Sequence, residues 1–446
     1  MKVLRLLPLT MALAVAAFAG PSRAEDLLAL YEAARAYDAN WQSAKSQYDA
    51  NIARAAQSKA GILPQAGLSA GVTHNDYELR IDPVGTPGSR VESFLTKQAT
   101  LSASQPLYRP ANLATYRQGK RQADVAEFLL VAAGHDLMLR VSQAYFDVLA
   151  AQDTLAFVRA LKAATAEQLA SARRNFEVGT STITDTREAQ ARYDLVLAQE
   201  IAGDNDLRVK RLALDTLVGR TNVQPNPLSV PDVEVPQPFD AEAWVAASEN
   251  TSPAILQARS AVEIAELETE KAKAGHKPTL DLTASYGITR FAGGNTAIGA
   301  DSRTNLGAVG VALNVPLFAG FATQNRIRET LALEEKARSD LEATRRTVAQ
   351  QVRTAYFGVV SGQGQVRALQ AAEASSQSAL DANRLGYQVG VRINIDVLNA
   401  QSQLFQTKRD LAQARYNVLL GHLRLRQANG TLAPEDLARL NLLLAP

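Results

Sequence analysis

The chain has 446 residues, of which 46% are hydrophobic and 21% charged, and its formal net charge is +2. This length supports a large core, and a charge so near zero gives no reason to expect nucleic-acid binding. The sequence holds no cysteine, which excludes disulfides, cysteine-based zinc sites and a lipidated N-terminal cysteine.

Residues 1–24 have the pattern of a secretory signal peptide. Lys2 and Arg5 give a positive start, residues 6–20 are apolar, and small residues lead to a predicted cleavage after Ala24. An apolar run of about 15 residues is too short to cross a bilayer as a helix. No later stretch reaches about 18 uncharged apolar residues, so we expect an exported chain without a transmembrane helix.

The chain contains one sequence unit that occurs twice. The segments FEVGTSTITD at 176–185 and YQVGVRINID at 387–396 share an aromatic residue, Val-Gly and a final Asp, and they lie 211 residues apart. Other pairs repeat at nearly the same spacing: Lys59-Ala60-Gly61 with Lys273-Ala274-Gly275, Ala144-Tyr145-Phe146 with Ala355-Tyr356-Phe357, and Ala189-Gln190 with Ala400-Gln401. A single long period indicates a duplication and not a solenoid of short repeats.

Each unit contains two predicted strands. Residues 279–289 alternate between apolar and polar side chains, as a strand with one apolar face does. The four predicted strands are 64–82, 91–108, 277–292 and 302–317. Leu282, Tyr286, Val311 and Leu313 are predicted to face lipid, and Asp281, Thr283 and Asn314 a lumen. A soluble sheet with one wet face is the alternative, because alternation is a weak signal in each segment.

Long helices follow the strands. Residues 110–178 and 321–389 hold no proline beyond their first position, and a helix of that length extends about 100 Å. Val141, Ala144 and Val148 begin an apolar seam with alternating steps of three and four, which is typical of a coiled coil. The shorter flanking helices are predicted at 27–62, 182–219, 252–276 and 393–429.

The two units define the predicted domains. The first unit covers 25–220 and the second 251–430. A proline-rich linker at 221–250, extended over 224–240, joins them, and a C-terminal segment covers 431–446.

Four strands per chain indicate an oligomer. They cannot close a membrane barrel, and open sheet edges are not tolerated in lipid. Two copies would give eight strands around an interior filled by side chains, whereas three copies would give twelve strands and leave a pore.

The sequence resembles the TolC-type outer-membrane channel family over nearly its whole mature length. Segments that carry the resemblance include EDLLALYEAAR, AYFDVLAAQD, TDTREAQARYDLVLAQE and DVLNAQSQLFQTKRDLAQARYNVLLGHLRLRQANGTL. It implies a mixed α/β membrane protein with a duplicated helix–β-hairpin–long helix–helix unit, assembled as a homotrimer. A twelve-stranded β-barrel in outer-membrane lipid would continue into a long α-helical periplasmic tunnel, with an equatorial domain from the linker and C-terminus.

The same resemblance implies function and partners. We expect the exit duct of a tripartite efflux pump or type I secretion system, exporting drugs or proteins. Its partners would be a periplasmic adaptor protein and an inner-membrane ABC or proton-driven transporter.

The resemblance also assigns roles to the two repeated turns, which correspond to the periplasmic tips of two helix hairpins at 179–185 and 390–396. It implies that Tyr387 and Arg392 tie to Thr184 and Asp185 on a neighbouring hairpin and keep the tunnel shut. Arginine–carboxylate pairs and a tyrosine hydrogen bond suit such a tie. Each is worth about 1 kcal/mol or less at a wet tip, which suits a gate that a partner opens.

A constriction and an adaptor surface are implied at the same tips. Asp396 matches a carboxylate that would ring the aperture in a trimer, and Asn399 replaces a second carboxylate, which weakens the case for strong polyvalent-cation binding. The segments Val178-Gly179-Thr180 and Val389-Gly390-Val391 match the motif that meets the adaptor. From the residues alone, the preferred interpretation of Asp185 and Asp396 is that they cap helix starts, and the alternative for the glycines is that they only form the turns.

Enzyme function is not indicated. The four histidines lie far apart without metal-ligand spacing, no phosphate-binding loop is present, and we predict neither cofactor nor metal. The alternative function is a periplasmic coiled-coil adaptor or scaffold without a pore.

Overall fold

The computed structural model describes residues 25–81, 88–229, 240–294 and 300–445. The predicted signal peptide and part of the predicted extended linker lie outside these residues. The chain forms two compact units. One comprises Met1–Ser46, Leu129–Leu256 and Thr344–Pro446, and the other Gln47–Phe128 and Gln257–Ala343.

The compact unit of Gln47–Phe128 and Gln257–Ala343 contains one antiparallel sheet with the strand order β1-β2-β3-β4. The strands are β1 Gln65–Ile81, β2 Gly88–Tyr108, β3 Thr279–Ala292 and β4 Ser302–Asn314. Each strand pairs with its neighbour in sequence, and β1 and β4 lie at the edges of this sheet.

The register separates two faces that continue across all four strands. One row consists of Leu68, Leu101, Tyr286 and Gly307, and the adjacent row on the opposite face consists of Gly67, Ser102, Ser285 and Ala308. Directly paired residues share a face, so the apolar positions of one strand continue onto the next.

The strands near the helices end differently from the prediction. β4 stops at Asn314 and not at residue 317, because Pro316 has no N–H with which to extend the ladder. β3 begins at Thr279. Beside this end, Arg109 donates to both carboxylate oxygens of Asp281 at 2.7 and 2.6 Å, which leaves Asp281 only 8% exposed.

Nine α-helices occur in the described residues. They are α1 Leu27–Tyr37, α2 Ala39–Gln57, α3 Pro110–Glu177, α4 Ile183–Val218, α5 Ala241–Thr251, α6 Pro253–Lys273, α7 Ala322–Gln388, α8 Asn394–Asn429 and α9 Pro434–Asn441. Short 3₁₀ turns follow α2 and α6 at Ser58–Ile62 and Ala274–His276. Within the described ranges, no helix has an apolar stretch long enough for a membrane crossing.

The predicted helix over 27–62 is interrupted at Asp38. There the backbone leaves the helical conformation, with φ −59° and ψ 120°. The Asp38 carboxylate accepts the N–H of Trp41 at 2.8 Å, as an N-cap of the next helix does. It also accepts from Arg140 at 3.0 Å. Two helices therefore replace one, because the carboxylate caps the second and holds it beside α3.

A short helix occupies the end of the segment predicted as a linker. α5 begins after Asp240, whose carboxylate accepts the N–H of Glu242 at 3.1 Å. Trp244 is 7% exposed and accepts, through its carbonyl, a hydrogen bond of 2.7 Å from Asn429. Pattern reading missed this helix because its apolar face is narrow.

The core of the compact unit that contains Leu129–Leu256 forms where residues from Leu27 onward, the linker and the C-terminal helix meet. Tyr145 on α3 is fully buried and donates to the carbonyl of Asn226 at 3.0 Å. Leu27 donates through its N–H to Asn441 at 2.9 Å, and Ser229 to the carbonyl of Leu443 at 2.9 Å. The described part of the linker therefore lies against the C-terminal segment.

Candidate functional site: the tips of the helix hairpins

The two hairpin turns have the same backbone. Gly179 and Gly390 both have φ +79°, a left-handed conformation that favours glycine. After Gly179, the N–H groups of Thr180 and Ser181 donate to the carbonyl of Asn175 at 2.8 and 3.2 Å. After Gly390, Val391 and Arg392 donate to the carbonyl of Gly386 at 2.9 and 3.1 Å. The duplicated sequence thus makes one turn twice.

The side chains differ from tip to tip. On the first, Asp185 and Thr182 form a reciprocal capping box: the N–H of Thr182 donates to Asp185 Oδ2 at 3.0 Å, and the N–H of Asp185 donates to Thr182 Oγ1 at 3.2 Å. Oδ1 of Asp185 has no partner among the described residues. Since a carboxylate accepts through both oxygens, Asp185 caps α4 and keeps an acceptor available.

On the second tip, Arg392 folds back along its own chain. Its guanidinium lies 3.6 Å from the carboxylate of Asp396, one helical turn away. A Cβ on Gly386 would come within 2.7 Å of Arg392 Cγ, so glycine at 386 makes room for the arginine stem. Both charged side chains are partly exposed, and such a pair contributes about 1 kcal/mol or less.

Tyr387 contacts the other hairpin within the same chain. Its phenolic oxygen accepts a hydrogen bond from the side-chain amide of Asn175 at 3.2 Å. The residue equivalent to Tyr387 in the first repeat is Phe176, which is 43% exposed. Only the second repeat therefore has a hydroxyl at this position.

A buried amide network joins the two hairpins at the start of α8. Asn394, at the first position of α8, is 1% exposed. Its side chain accepts from Gln168 on α3 and donates to the carbonyl of Asp185 at 3.3 Å. Burying an amide is unfavourable unless it is hydrogen-bonded. Asn394 therefore fixes the start of α8 against both helices of the first hairpin.

A small apolar cluster and a third polar contact continue the interface. Leu398 of α8 packs with Leu169, Ala172 and Ala189 of the first hairpin. Asn399 accepts from the guanidinium of Arg192 at 2.9 Å. The position predicted to lack a constriction charge is thus bonded to a cation of the first hairpin.

The outer ends of the tips expose apolar side chains. Val391, Val178 and Val389 are 75%, 73% and 64% exposed. Single exposed apolar residues need no explanation, but these three all lie in the two repeated turns.

The predicted gate residues are only partly brought together in one chain. Tyr387 bonds to the first hairpin, but through Asn175 and not through Thr184 or Asp185. In the described part of one chain, Arg392 bonds to neither of those residues. Arg392 and Asp396, predicted to act separately, form a pair.

Sequence reasoning missed Gln168, Asn175, Arg192 and Asn394. The duplication holds a signal that could have found two of them. At the positions 211 residues away, Asn394 corresponds to Ile183 and Gln168 to Ala379. Ile183 is 49% exposed whereas Asn394 is buried, so a polar residue replaces an apolar one where the second tip is packed.

Comparisons with known proteins support the same family over the whole fold. The model of the outer membrane efflux protein family matches residues 30–220 and 244–431. The chain is 33% identical to the outer membrane protein TolC of Vibrio cholerae over 438 residues, covering 98% of each chain. It is 32% identical to the alkaline protease secretion protein AprF of Pseudomonas aeruginosa over 433 residues, covering 93% of this chain and 87% of that protein.

The fold is also that of a solved structure. The outer membrane protein VceC of Vibrio cholerae matches with a TM-score of 0.77 at 20% identity, covering 91% of this chain and 96% of that one. This family is one of channels and not of enzymes, and the adaptor alternative is not favoured. The chain therefore belongs to the outer membrane efflux protein family and is an exit duct of the outer membrane for efflux or type I secretion.

Proposed function

We propose that three copies of this chain close a twelve-stranded barrel, continued by a helical tunnel that is gated at the hairpin tips. The single observation that carries the trimer is the open four-stranded sheet, whose edge strands β1 and β4 have partners on one side only. Unpaired edges are not tolerated in lipid, so copies must pair β1 with β4 of a neighbour.

The polar face of the sheet favours three copies over two. Its rows consist mainly of Gly, Ser, Thr and Ala, as in the row Gly67, Ser102, Ser285 and Ala308. An eight-stranded barrel has an interior filled by side chains, whereas a wider one leaves a channel. Such small residues suit a lumen through which cargo passes.

The gate uses two sets of contacts. Inside each chain, Asn394 and Tyr387 hold the second hairpin to the first. Between chains, Arg392 reaches Asp185 or Thr184 of the neighbouring hairpin. Asp185 supports this assignment because Oδ2 is used by the capping box while Oδ1 is available. An inter-chain tie therefore requires Arg392 to exchange its own Asp396 for a neighbour's carboxylate.

The constriction carries one carboxylate per chain. Asp396 supplies it, and Asn399 is uncharged and bonded to Arg192. The nearby Arg392 and Arg192 offset part of the negative potential. We therefore assign the aperture a modest cation preference.

The exposed valines of both tips form the adaptor-facing surface. One relative is named an outer membrane protein, TolC, and another is named an alkaline protease secretion protein, AprF. The adaptor and an ABC or proton-driven transporter would complete the tripartite assembly, and the transporter would select the cargo.

The absence of native cysteine gives a direct test of the trimer. Leu68→Cys on β1 is combined in turn with Gly307→Cys, Val309→Cys or Val311→Cys on β4, and isolated outer membranes are oxidised. We expect one pairing to give covalent products of two and three chains and none larger. Single-cysteine variants are the controls, and products that stop at two chains or extend without limit would refute the trimer.

A further inference from the structure

Three cations form one row across the sheet. Lys97 on β2 lies directly opposite Arg290 on β3, and Arg290 lies opposite Arg303 on β4. Neighbouring strands are about 4.8 Å apart, so the three backbone positions fall within about 10 Å. All three side chains are exposed. Like charges directly opposite one another destabilise a sheet, so this row calls for a compensating anion.

None of the three cations forms an ion pair with a carboxylate among the described residues. Lys97 and Arg290 have no ion pair or hydrogen bond there, and Arg303 donates only to the amide oxygen of Asn305 at 3.1 Å. Asp301 accepts the N–H of Gly293 at 2.8 Å. Asp76, further out on the same face, lies 3.3 Å from His74.

The row belongs to the apolar face. On β3, Arg290 follows Leu282, Ala284, Tyr286 and Ile288 at every second position. The opposite face at this level carries no charge: Thr96, Phe291 and Ser302 form one row, and Gln98, Thr289 and Thr304 the next. The cations are thus confined to the face that would meet lipid.

The position of the row along the strand matches a membrane boundary. From Leu280, near the helical end of β3, to Arg290 is a rise of about 33 Å at 3.3 Å per residue. A tilt of about 40° reduces this to about 25 Å along the membrane normal, the height of the apolar band of such barrels. The cations therefore lie where an apolar band ends on the side away from the helices.

We propose that Lys97, Arg290 and Arg303 bind the phosphate groups of a phosphorylated lipid headgroup in the outer leaflet. The inference rests on the proposed barrel with its apolar face outward. Arginine forms bidentate hydrogen bonds with phosphate, and lysine adds a point charge. A trimer would present three such rows.

The test uses the full assembled protein and native mass spectrometry. The probes are a bis-phosphorylated glycolipid, its dephosphorylated form and inorganic phosphate. Wild type should retain the phosphorylated glycolipid preferentially. Lys97→Gln, Arg290→Gln and Arg303→Gln combined should weaken retention at least about tenfold, since each surface cation contributes on the order of a factor of five. Arg290→Lys with Arg303→Lys should keep most of it, and this charge-conserving variant addresses binding even if the triple variant does not assemble.

The matched control removes three cations elsewhere. Arg174→Gln, Arg187→Gln and Arg384→Gln, all exposed on the hairpins, should leave retention unchanged. Equal retention by the row variant and wild type, equal loss in the control, or inorganic phosphate displacing the lipid at millimolar concentration would overturn the proposal. Assembly mass and membrane fractionation on the same samples separate the outcomes: an assembled wild type without lipid preference defeats this proposal only, and a wild type that does not assemble defeats the barrel.

Discussion

The phenolic oxygen of Tyr387 accepts a hydrogen bond from the side-chain amide of Asn175 at 3.2 Å, and this bond joins the two halves of an internal duplication. The equivalents of these residues, Phe176 and Gly386, cannot form it. Duplication therefore supplied two similar hairpins, and divergence at a few positions made them complementary.

If the tips form the proposed gate, removing this bond should loosen its closed state. Tyr387→Phe deletes the acceptor and leaves the ring in place, and we expect a loss of about 0.5–1.5 kcal/mol from the closed state. The open fraction in planar-bilayer recordings should rise a few-fold. Asn175→Ala should have a similar effect, and the double variant should show less than the sum. Strictly additive effects would show that the two side chains do not act through this bond.

Asn394 should matter more than Tyr387, because its amide is buried. Asn394→Ile introduces the residue of the first repeat and leaves the Gln168 amide without its acceptor, at a cost of about 1–3 kcal/mol. Hydrogen exchange should increase near residues 165–190 and at the start of α8. The matched control is Ile183→Asn at the exposed equivalent position, where we expect a change within about 0.5 kcal/mol. Unchanged hydrogen exchange in Asn394→Ile would show that this network does not hold the two hairpins together.

In the proposed gate, the pair between Arg392 and Asp396 links opening to ion preference. Tyr387→Phe with Arg392→Ser should raise conductance while the assembly still forms, because the ties hold the closed state and not the fold. Without Arg392, the Asp396 carboxylate has lost its ion-pair partner and should increase the preference of the pore for cations. Asp396→Ala should do the reverse, with a smaller effect on opening. Reversal potentials in asymmetric salt measure this, and equal preference in both variants would contradict the arrangement.

The two faces of the sheet should differ in tolerance to charge. Val309→Arg, on the apolar face and opposite Ala284 near the middle of the apolar band, should destabilise the proposed barrel by about 2–4 kcal/mol. Thr283→Arg, on the opposite face of β3, should be tolerated. The fraction of heat-resistant assembly on gels gives the comparison. Similar losses in both variants would mean that the assignment of the faces is inverted or absent.

Much of the architecture could be predicted from the sequence. Two-residue alternation located the strands, and long intervals without internal proline located α3 and α7. The repeated Val-Gly segments located both turns, because a left-handed residue needs glycine at Gly179 and Gly390. These features follow from local chain geometry, which sequence records directly.

The remaining features depend on tertiary contacts. In the sequence, Asp38 is one polar residue within a helical pattern. Only its position beside Arg140 explains why the helix is interrupted there. In the sequence, Asn394 resembles an ordinary turn residue. Its burial and its bond to Gln168 depend on how the two hairpins pack. The resemblance predicts that Arg392 pairs with another hairpin, whereas within one chain its guanidinium lies beside Asp396. A pattern of residue types along the chain does not show which side chains from distant segments come into contact.

The carboxylates of Asp38 and Asp153 have pKa values shifted in opposite directions, by different causes. Asp38 is bound by Arg140 at 3.0 Å, and chiefly this bond lowers the pKa of Asp38 below its ordinary 3.8. Asp153 lies in the core beside Tyr416, whose hydroxyl donates to it at 2.7 Å. Burial outweighs that bond and raises the pKa of Asp153 above 3.8.

These shifts predict opposite changes in the pH dependence of stability. The contribution of Asp38 is present above pH 3.8 and is lost as pH falls through its lower folded pKa. Asp38→Asn should therefore lower stability at pH 7, by about 1.5–3 kcal/mol for a charged hydrogen bond, and flatten the acid limb.

The Asp153 contribution is fully present below pH 3.8 and is lost as pH rises through its raised folded pKa. Asp153→Asn should thus remove that loss. The stability of the variant relative to the wild type should therefore be greater at pH 7 than at pH 4. Unfolding midpoints of the assembled protein from pH 3 to about pH 8, the range that brackets carboxylate titration, provide the measurement. Two variants that shift the profile in the same direction would contradict the assignment, because the two carboxylates would then share one cause.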